Sequence, residues 1–309
     1  MITTLNAIAP IFLIIALGHL MFRTRVADEQ IWSAIEHICF YLLLPALIVR
    51  TLSRANLTSV PVLDFMLVLV SAIAGMSFLL ILMHRLLRSR YPDSGPTFSS
   101  LFQGATRFHG FVALAIIGPL YGDHGITLTA LALAIMVPVL NIANVIVLTI
   151  YGSNNSVANG RQILFRIITN PLIIACVVGL TLNWTGMPDI IFNTIDIVGN
   201  GGLGLTLLAV GAGLRLDQIA EDKLLVTVGV LIRLIGMPLM VIAIASLIGL
   251  EGLPRTVAII AGAVPTAASA YVMARKMGGN AELMSNILTF QVIVSFVTLP
   301  LFIYIAENY

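Results

Sequence analysis

The chain has 309 residues, of which 59% are hydrophobic and only 10% are charged, and its formal net charge is +2. Soluble globular domains carry roughly 25% charged residues, so a chain this apolar cannot cover itself with a polar surface, and lipid must be its solvent. The small net charge and the absence of a basic arm argue against a nucleic-acid partner.

The hydrophobic runs predict an all-α membrane protein with ten spanning helices, because about 20 apolar residues are needed to cross a bilayer. In chain order the spans cover about residues 5–22, 31–50, 62–84, 98–120, 126–151, 163–184, 190–212, 223–248, 255–275 and 283–305. Nothing basic precedes the first run, and Arg23 and Arg25 follow it, which indicates a retained helix rather than a signal peptide. The connections are short, so residues 1–309 are predicted to form a single transmembrane domain.

The basic residues predict the orientation of these spans. Numbered from the N-terminus, the odd loops hold 11 Lys or Arg residues and the even loops hold 3. Cytoplasmic loops are enriched in Lys and Arg, so both termini are expected outside. The asymmetry also favours the count of ten, since removing one span would scramble the alternation.

Several common functional motifs are missing or misplaced. Cys39 and Cys176 lie inside apolar runs and form neither a metal-binding spacing nor a disulfide framework. The run from Gly199 to Gly204 matches G-x-G-x-x-G but lies in a membrane helix, where close packing of small residues explains it better than a dinucleotide. We expect no metal, no cofactor and no ATP-driven step, and we find no credible nucleophile–base pair for an enzyme.

Ten spans divide into two sets of five, and the second set starts on the opposite side of the membrane from the first. A duplicated unit would then be an inverted repeat, over about 1–152 and 160–309, as in many secondary transporters. Residues that interrupt helices lie at matching places, namely Gly104, Gly110 and Gly118-Pro119 in span four and Gly262 and Pro265 in span nine. Ordinary proline kinks are the alternative explanation.

Both predicted interruptions reach the middle of the bilayer. At 1.5 Å per residue, His109 lies about 16 Å into span four and Pro265 about 15 Å into span nine, within a core of roughly 30 Å. Freed backbone groups are tolerated there only beside a cavity or polar partners. Half-helix N-termini at this depth would favour an anion.

Arg107 in span four is the strongest candidate for contact with that anion. A charge at mid-membrane is usually functional, and its planar fork of donors matches a carboxylate. A snorkelling side chain is the alternative. His109 could donate to a carboxylate or take up a proton, or be a structural histidine.

Other polar residues lie at similar depth. Asn141 and Asn144 share one face of span five, and the predicted substrate site as a whole comprises Arg107, His109, Gly110, Asn141, Asn144, Pro265, Thr266, Ser269 and Gln291. Any of these could instead bond between helices. Arg233 in span eight is expected to snorkel or to pair with an unidentified acid.

Three runs carry a family resemblance: Tyr41–Leu47 (YLLLPAL), Arg107–Ala115 (RFHGFVALA) and Ala263–Gly279 (AVPTAASAYVMARKMGG). They resemble the auxin efflux carrier family, in particular its bacterial members, often described as malate or malonate carriers. The resemblance covers essentially the whole chain. It implies the bile-acid-symporter type of fold, in which spanning helices 4 and 9 are broken and cross each other. In that fold a scaffold of spanning helices 1, 2, 6 and 7 often mediates dimers. A transport core of spanning helices 3–5 and 8–10 moves in an elevator-like manner.

One departure from the family leaves the substrate open. Members usually have an asparagine at the span-four crossover, where this chain has His109. The halves are joined only by about residues 152–162, which favours a metabolite carrier of the bacterial inner membrane over a hormone exporter. The sequence therefore predicts a secondary transporter for a small carboxylate, with proton or sodium coupling unknown. A membrane-embedded sensor that binds the same ligand without moving it is the alternative.

Overall fold

The computed structural model describes residues 2–55, 60–87, 95–153, 161, 164–165, 168–214 and 222–308. These residues are helical and include no β-strand, as expected for an all-α membrane protein. The helices are α1 (Ile2–Arg23), α2 (Glu29–Ile38), α3 (Leu44–Ser53), α4 (Val62–Leu87), α5 (Gly95–Thr106), α6 (Gly110–Tyr151), α7 (Pro171–Thr185), α8 (Asp189–Asn200), α9 (Gly202–Ala212), α10 (Lys223–Leu231), α11 (Met237–Ile248), α12 (Gly252–Ala263), α13 (Ser269–Met277) and α14 (Ala281–Asn308).

Six of the described segments are long and apolar enough to cross a membrane. They are Glu29–Ser53, Val62–Leu86, Gly95–Tyr151, Asp189–Ala212, Lys223–Ile248 and Ala281–Asn308, and shorter apolar helices cover Ile8–Arg23, Pro171–Thr185 and Gly252–Ala263. The protein is therefore an integral, multi-pass membrane protein. The count of ten and the inverted repeat stay predictions.

The predicted start of the sixth span differs from the structure. The sixth span was predicted from about residue 163, whereas α7 begins at Pro171, where the Asn170 side chain accepts a hydrogen bond from the backbone N–H of Leu172 and caps the helix. The connections predicted between spans three and four (about 85–97) and between spans five and six (about 152–162) lie partly outside the described residues. Spans four and five are separated at Gly122, which adopts φ 59° and ψ −153° within α6.

Two short π-helical segments widen the helices that contain them. One covers Cys39–Leu43, between α2 and α3, and the other covers Ile232–Gly236, between α10 and α11. Pro45 and Pro238 follow them closely, and a proline lacks the N–H that would close the next helical turn. Widened turns of this kind are often found at functional sites.

The contacts divide the chain into two compact units. The first comprises Met1–Pro61, Gly110–Ala134 and Leu164–Leu214, and the second comprises Val62–His109, Ile135–Ile163 and Arg215–Tyr309. In the first unit α1 packs against α9, and α3 packs against α7 and α8. In the second unit α14 is central, with α5, α10, α12 and α13 packed against it.

Glycines allow the close helix contacts of the first unit. A Cβ added at Gly199 would lie 2.9 Å from the backbone N and Cα of Leu47, so α8 and α3 approach within backbone contact there. The same addition at Gly204 would meet nothing within 4 Å. The packing role predicted for the run from Gly199 to Gly204 is therefore confirmed at its beginning but not at its end.

Candidate functional site

Both predicted helix interruptions are present in the second unit. The helical chain stops at Thr106 and resumes at Gly110, and it stops again at Ala263 and resumes at Ser269. The backbone N–H of His109 donates to the carbonyl oxygen of Pro265 at 2.8 Å. The two interruptions are therefore in contact, as the positions of their glycine and proline residues predicted.

Arg107 lies at this meeting point and is only 6% exposed. Its Nη1 donates to the Ser269 hydroxyl at 2.8 Å, and its Nη2 donates to Asn141 Oδ1 at 2.9 Å and contacts Met273 Sδ. The guanidinium, which follows the end of α5, is thus held by side chains of α6 and α13. These contacts hold the guanidinium inside the protein, so Arg107 does not snorkel towards the membrane surface.

The charge of Arg107 has no counter-ion in the described part of the chain. No carboxylate there lies within 4 Å of its guanidinium, and its Nε–H, which is buried, has no acceptor. A buried, unpaired charge is costly. Ser269 is the first residue of α13, so the positive end of that helix dipole lies beside the guanidinium and adds to the excess.

The surroundings of Arg107 are open on one side. Ser269 is exposed and Asn141 is half-buried, whereas Arg107 is buried. A small anion that reached Ser269 would be within reach of the guanidinium. Arg107, Asn141 and Ser269 therefore form the candidate anion site, and all three belong to the second unit.

Asn144 contributes differently from Asn141. It is fully buried, its Nδ2 donates to the Leu140 carbonyl of its own helix at 2.7 Å, and its Oδ1 accepts from the Thr106 hydroxyl at 3.5 Å. The two asparagines lie on one face of α6, as predicted, but they serve neighbouring residues of the first interruption. Contact between Asn144 and a substrate stays a prediction.

Thr266 and Gln291 bind the backbone of the interruptions. The Thr266 hydroxyl donates to Gly104 O at 2.7 Å, and Gln291 Nε2 donates to the same oxygen at 2.8 Å. Gln291 Oε1 accepts from the backbone N–H of Thr266 at 2.9 Å. Both side chains are buried, so they stabilise the unwound segments, and a direct role in binding substrate stays a prediction.

Two more predicted residues lie at the ends of elements. His109 is 6% exposed and precedes the first residue of α6, and its backbone makes the bond to Pro265. Gly110 begins α6 and belongs to the first unit. Neither position tests the substrate contact predicted for it.

Arg233 differs from both alternatives that the sequence suggested. It is 0% exposed, so it does not snorkel, and no carboxylate of the described residues lies within 4 Å of it. Its three nitrogens donate instead to backbone carbonyls of Ala261, Val264 and Thr106. The sequence analysis missed this role of Arg233. Two helix interruptions leave several backbone carbonyls without an N–H partner, and a buried side chain with several donors can bind them.

The described residues contain no group of three or more His, Cys, Asp or Glu side chains that could hold a metal ion. The polar groups at the interruptions are amides, hydroxyls and guanidinium groups. Guanidinium and hydroxyl donors bind anions well.

Comparisons with known proteins agree with a membrane location. A family model described as "Membrane transport protein" matches residues 3–303. An "Uncharacterized transporter" from Methanothermobacter thermautotrophicus is 24% identical over 297 residues, which cover 96% of this chain and 96% of that protein.

Proposed function

Since the chain belongs to the membrane transport protein family, we propose that it is a secondary transporter that carries a small organic anion, a carboxylate such as malate or malonate, across the bilayer. The match over residues 3–303 agrees with the family resemblance that the three sequence runs carry. The observation that carries the choice of an anion is the buried guanidinium of Arg107, which has no counter-ion among the described residues.

The donor set fits a carboxylate. Arg107 keeps its positive charge in all ordinary conditions and presents planar N–H donors. The Ser269 hydroxyl and the Asn141 amide can turn to a bound oxygen once the guanidinium engages it. A neutral substrate would leave the charge of Arg107 uncompensated, so the site favours anions over sugars or other uncharged molecules.

We infer an elevator-type mechanism in which the site moves with its substrate. The support is that Arg107, Asn141, Ser269 and Met273 all belong to one compact unit. A unit that holds every contact of a site can shift without taking that site apart. The predicted scaffold of spans 1, 2, 6 and 7 would stay in place and mediate homodimers, and the predicted core of spans 3–5 and 8–10 would move.

The proposed setting is a bacterial inner membrane, with both termini outside. The 11 Lys and Arg residues of the odd loops support this direction. Coupling to protons or to sodium, or movement of the anion down its own gradient, is compatible with the site as described.

The decisive experiment is uptake of radiolabelled malate, malonate and an aromatic acid into proteoliposomes that contain the purified protein. We expect saturable uptake of one carboxylate, and its loss in Arg107→Ala. Arg54→Ala is the matched control, because Arg54 is an exposed arginine of the first unit that pairs with Asp189. Uptake by Arg107→Ala equal to that of the wild type would disprove the site.

The same preparation separates a transporter from a receptor. Thermal-shift or equilibrium binding measures the carboxylate affinity, and uptake measures its movement. Specific binding with no flux in either direction would favour the membrane-embedded sensor.

A further inference from the structure

Arg233 is a charged side chain at the middle of the segment Lys223–Ile248, and it has no exposed surface. Its Nε donates to Val264 O at 2.8 Å, its Nη2 to Ala261 O at 2.9 Å and its Nη1 to Thr106 O at 3.3 Å. All three acceptors are backbone carbonyls at the ends of α5 and α12. A guanidinium that binds the main chain of two different helices links those helices directly.

The chemistry of the interruptions explains why these carbonyls are available. In a continuous α-helix the carbonyl of residue i accepts from the N–H of residue i+4. The carbonyl of Ala261 would accept from Pro265, which has no N–H. The carbonyl of Thr106 would accept from the N–H of Gly110, and that of Val264 from the N–H of Ala268, but each pair lies across an interruption. Arg233 therefore binds acceptors that the two helix breaks release.

The charges of this arrangement balance. The C-terminal end of a helix carries roughly half a negative elementary charge, so the ends of α5 and α12 together amount to about one, which a single guanidinium neutralises. Arg107, by contrast, is held by neutral side chains and by no helix C-terminus. Two buried arginines at the same interruptions thus differ in whether their charge is already compensated.

Carbonyls at unwound helix ends bind the coupling Na⁺ of many secondary transporters. Here such carbonyls are occupied by a cation that is part of the chain. We propose that Arg233 is a positioning residue, a built-in cation that holds the two helix interruptions together and occupies carbonyls that would otherwise be open to a metal ion. The inference rests on the proposed function only for its consequence in transport, which is that Arg107, rather than Arg233, carries the charge for the substrate.

The test compares Arg233→Ala with Arg107→Ala by thermal melting in detergent. Both variants delete a buried guanidinium of the same unit. Arg233→Ala leaves three buried carbonyls without donors, so its melting temperature should fall by about 10 °C or more. Arg107→Ala leaves only side-chain oxygens that are exposed or half-buried, and it should melt close to the wild type.

Chemical rescue distinguishes a bound cation from a simple loss of packing. Ethylguanidinium fits the space vacated in Arg233→Ala and can donate to the same carbonyls, so it should restore most of the lost melting temperature. Tetramethylammonium at equal concentration has the charge but no N–H donor and should restore little. Arg233→Lys keeps the charge and some donors and should lie between Arg233→Ala and the wild type.

Several results would overturn the inference. Wild-type melting of Arg233→Ala would do so, and so would equal rescue of that variant by both cations. If Arg233→Ala does not fold, Arg233→Lys against Arg233→Met carries the test, and equal stability of those two would refute a role for the charge. Malonate uptake that survives in Arg107→Ala would instead contradict the proposed function and leave the role of Arg233 standing.

Discussion

Replacement of Gln291 by leucine tests whether this residue supports the helix interruptions or binds the substrate. Gln291 is 0% exposed, and its amide makes three hydrogen bonds, to the N–H of Thr266 and to the carbonyls of Gly104 and Gly229. Leucine is similar in volume and can make none of them. The variant therefore removes polar contacts with little change in packing.

The expected cost follows from what each partner retains. Gly104 O keeps its bond from the Thr266 hydroxyl, and Gly229 O keeps one from the N–H of Ile232. Only the N–H of Thr266, which is buried, is left with no acceptor. An orphaned buried donor costs about 1–3 kcal/mol, and each of the two weakened carbonyls about 0.5–1.5 kcal/mol. We expect Gln291→Leu to lower the free energy of unfolding by about 3 kcal/mol.

The assay is unfolding by SDS titration in mixed micelles, with malonate binding measured on the folded variant. Ser295→Ala is the matched control on the same helix, since its buried hydroxyl bonds only to Val292 O of α14 itself. It should cost less than about 1 kcal/mol. A Gln291→Leu variant that is as stable as the wild type but binds malonate tenfold more weakly would refute the structural role and place Gln291 in the substrate site.

Three further expectations concern other parts of the chain. Gly199→Ala should destabilise the protein by about 1–3 kcal/mol, because the added methyl group would overlap the backbone of α3. Gly204→Ala should be near neutral, because a methyl group there meets nothing within 4 Å. Equal unfolding curves for the two variants would contradict the packing at Gly199. His109→Asn should keep uptake but remove any rise in uptake that the wild type shows as pH falls, because a protonated imidazole would favour the anion. An unchanged pH profile would argue against a proton role. Asp196→Asn breaks a partly exposed ion pair of 2.7 Å with Arg50. It should lower the free energy of unfolding by less than about 1 kcal/mol. A larger loss on SDS titration would mean that the pair is coupled to other contacts.

The sequence by itself determined the solvent of this protein and the places where its helices break. Hydrophobicity is a property of each side chain, so long apolar runs identify membrane segments whatever they pack against. Proline lacks an N–H and glycine lacks a Cβ, so Pro265 and Gly110 indicated interruptions from their own chemistry. The structure places helix ends beside both residues.

The role of each polar residue was decided only by the tertiary structure. Arg107 and Arg233 are the same residue type, and both were predicted inside spans, yet one is held by neutral side chains and the other by backbone carbonyls. Thr266 and Gln291 were predicted beside the substrate, and that contact stays a prediction, but the structure shows that both bind the main chain of α5. A donor group acts on whichever acceptor lies within about 3 Å of it, and for these residues that acceptor comes from a helix distant in sequence.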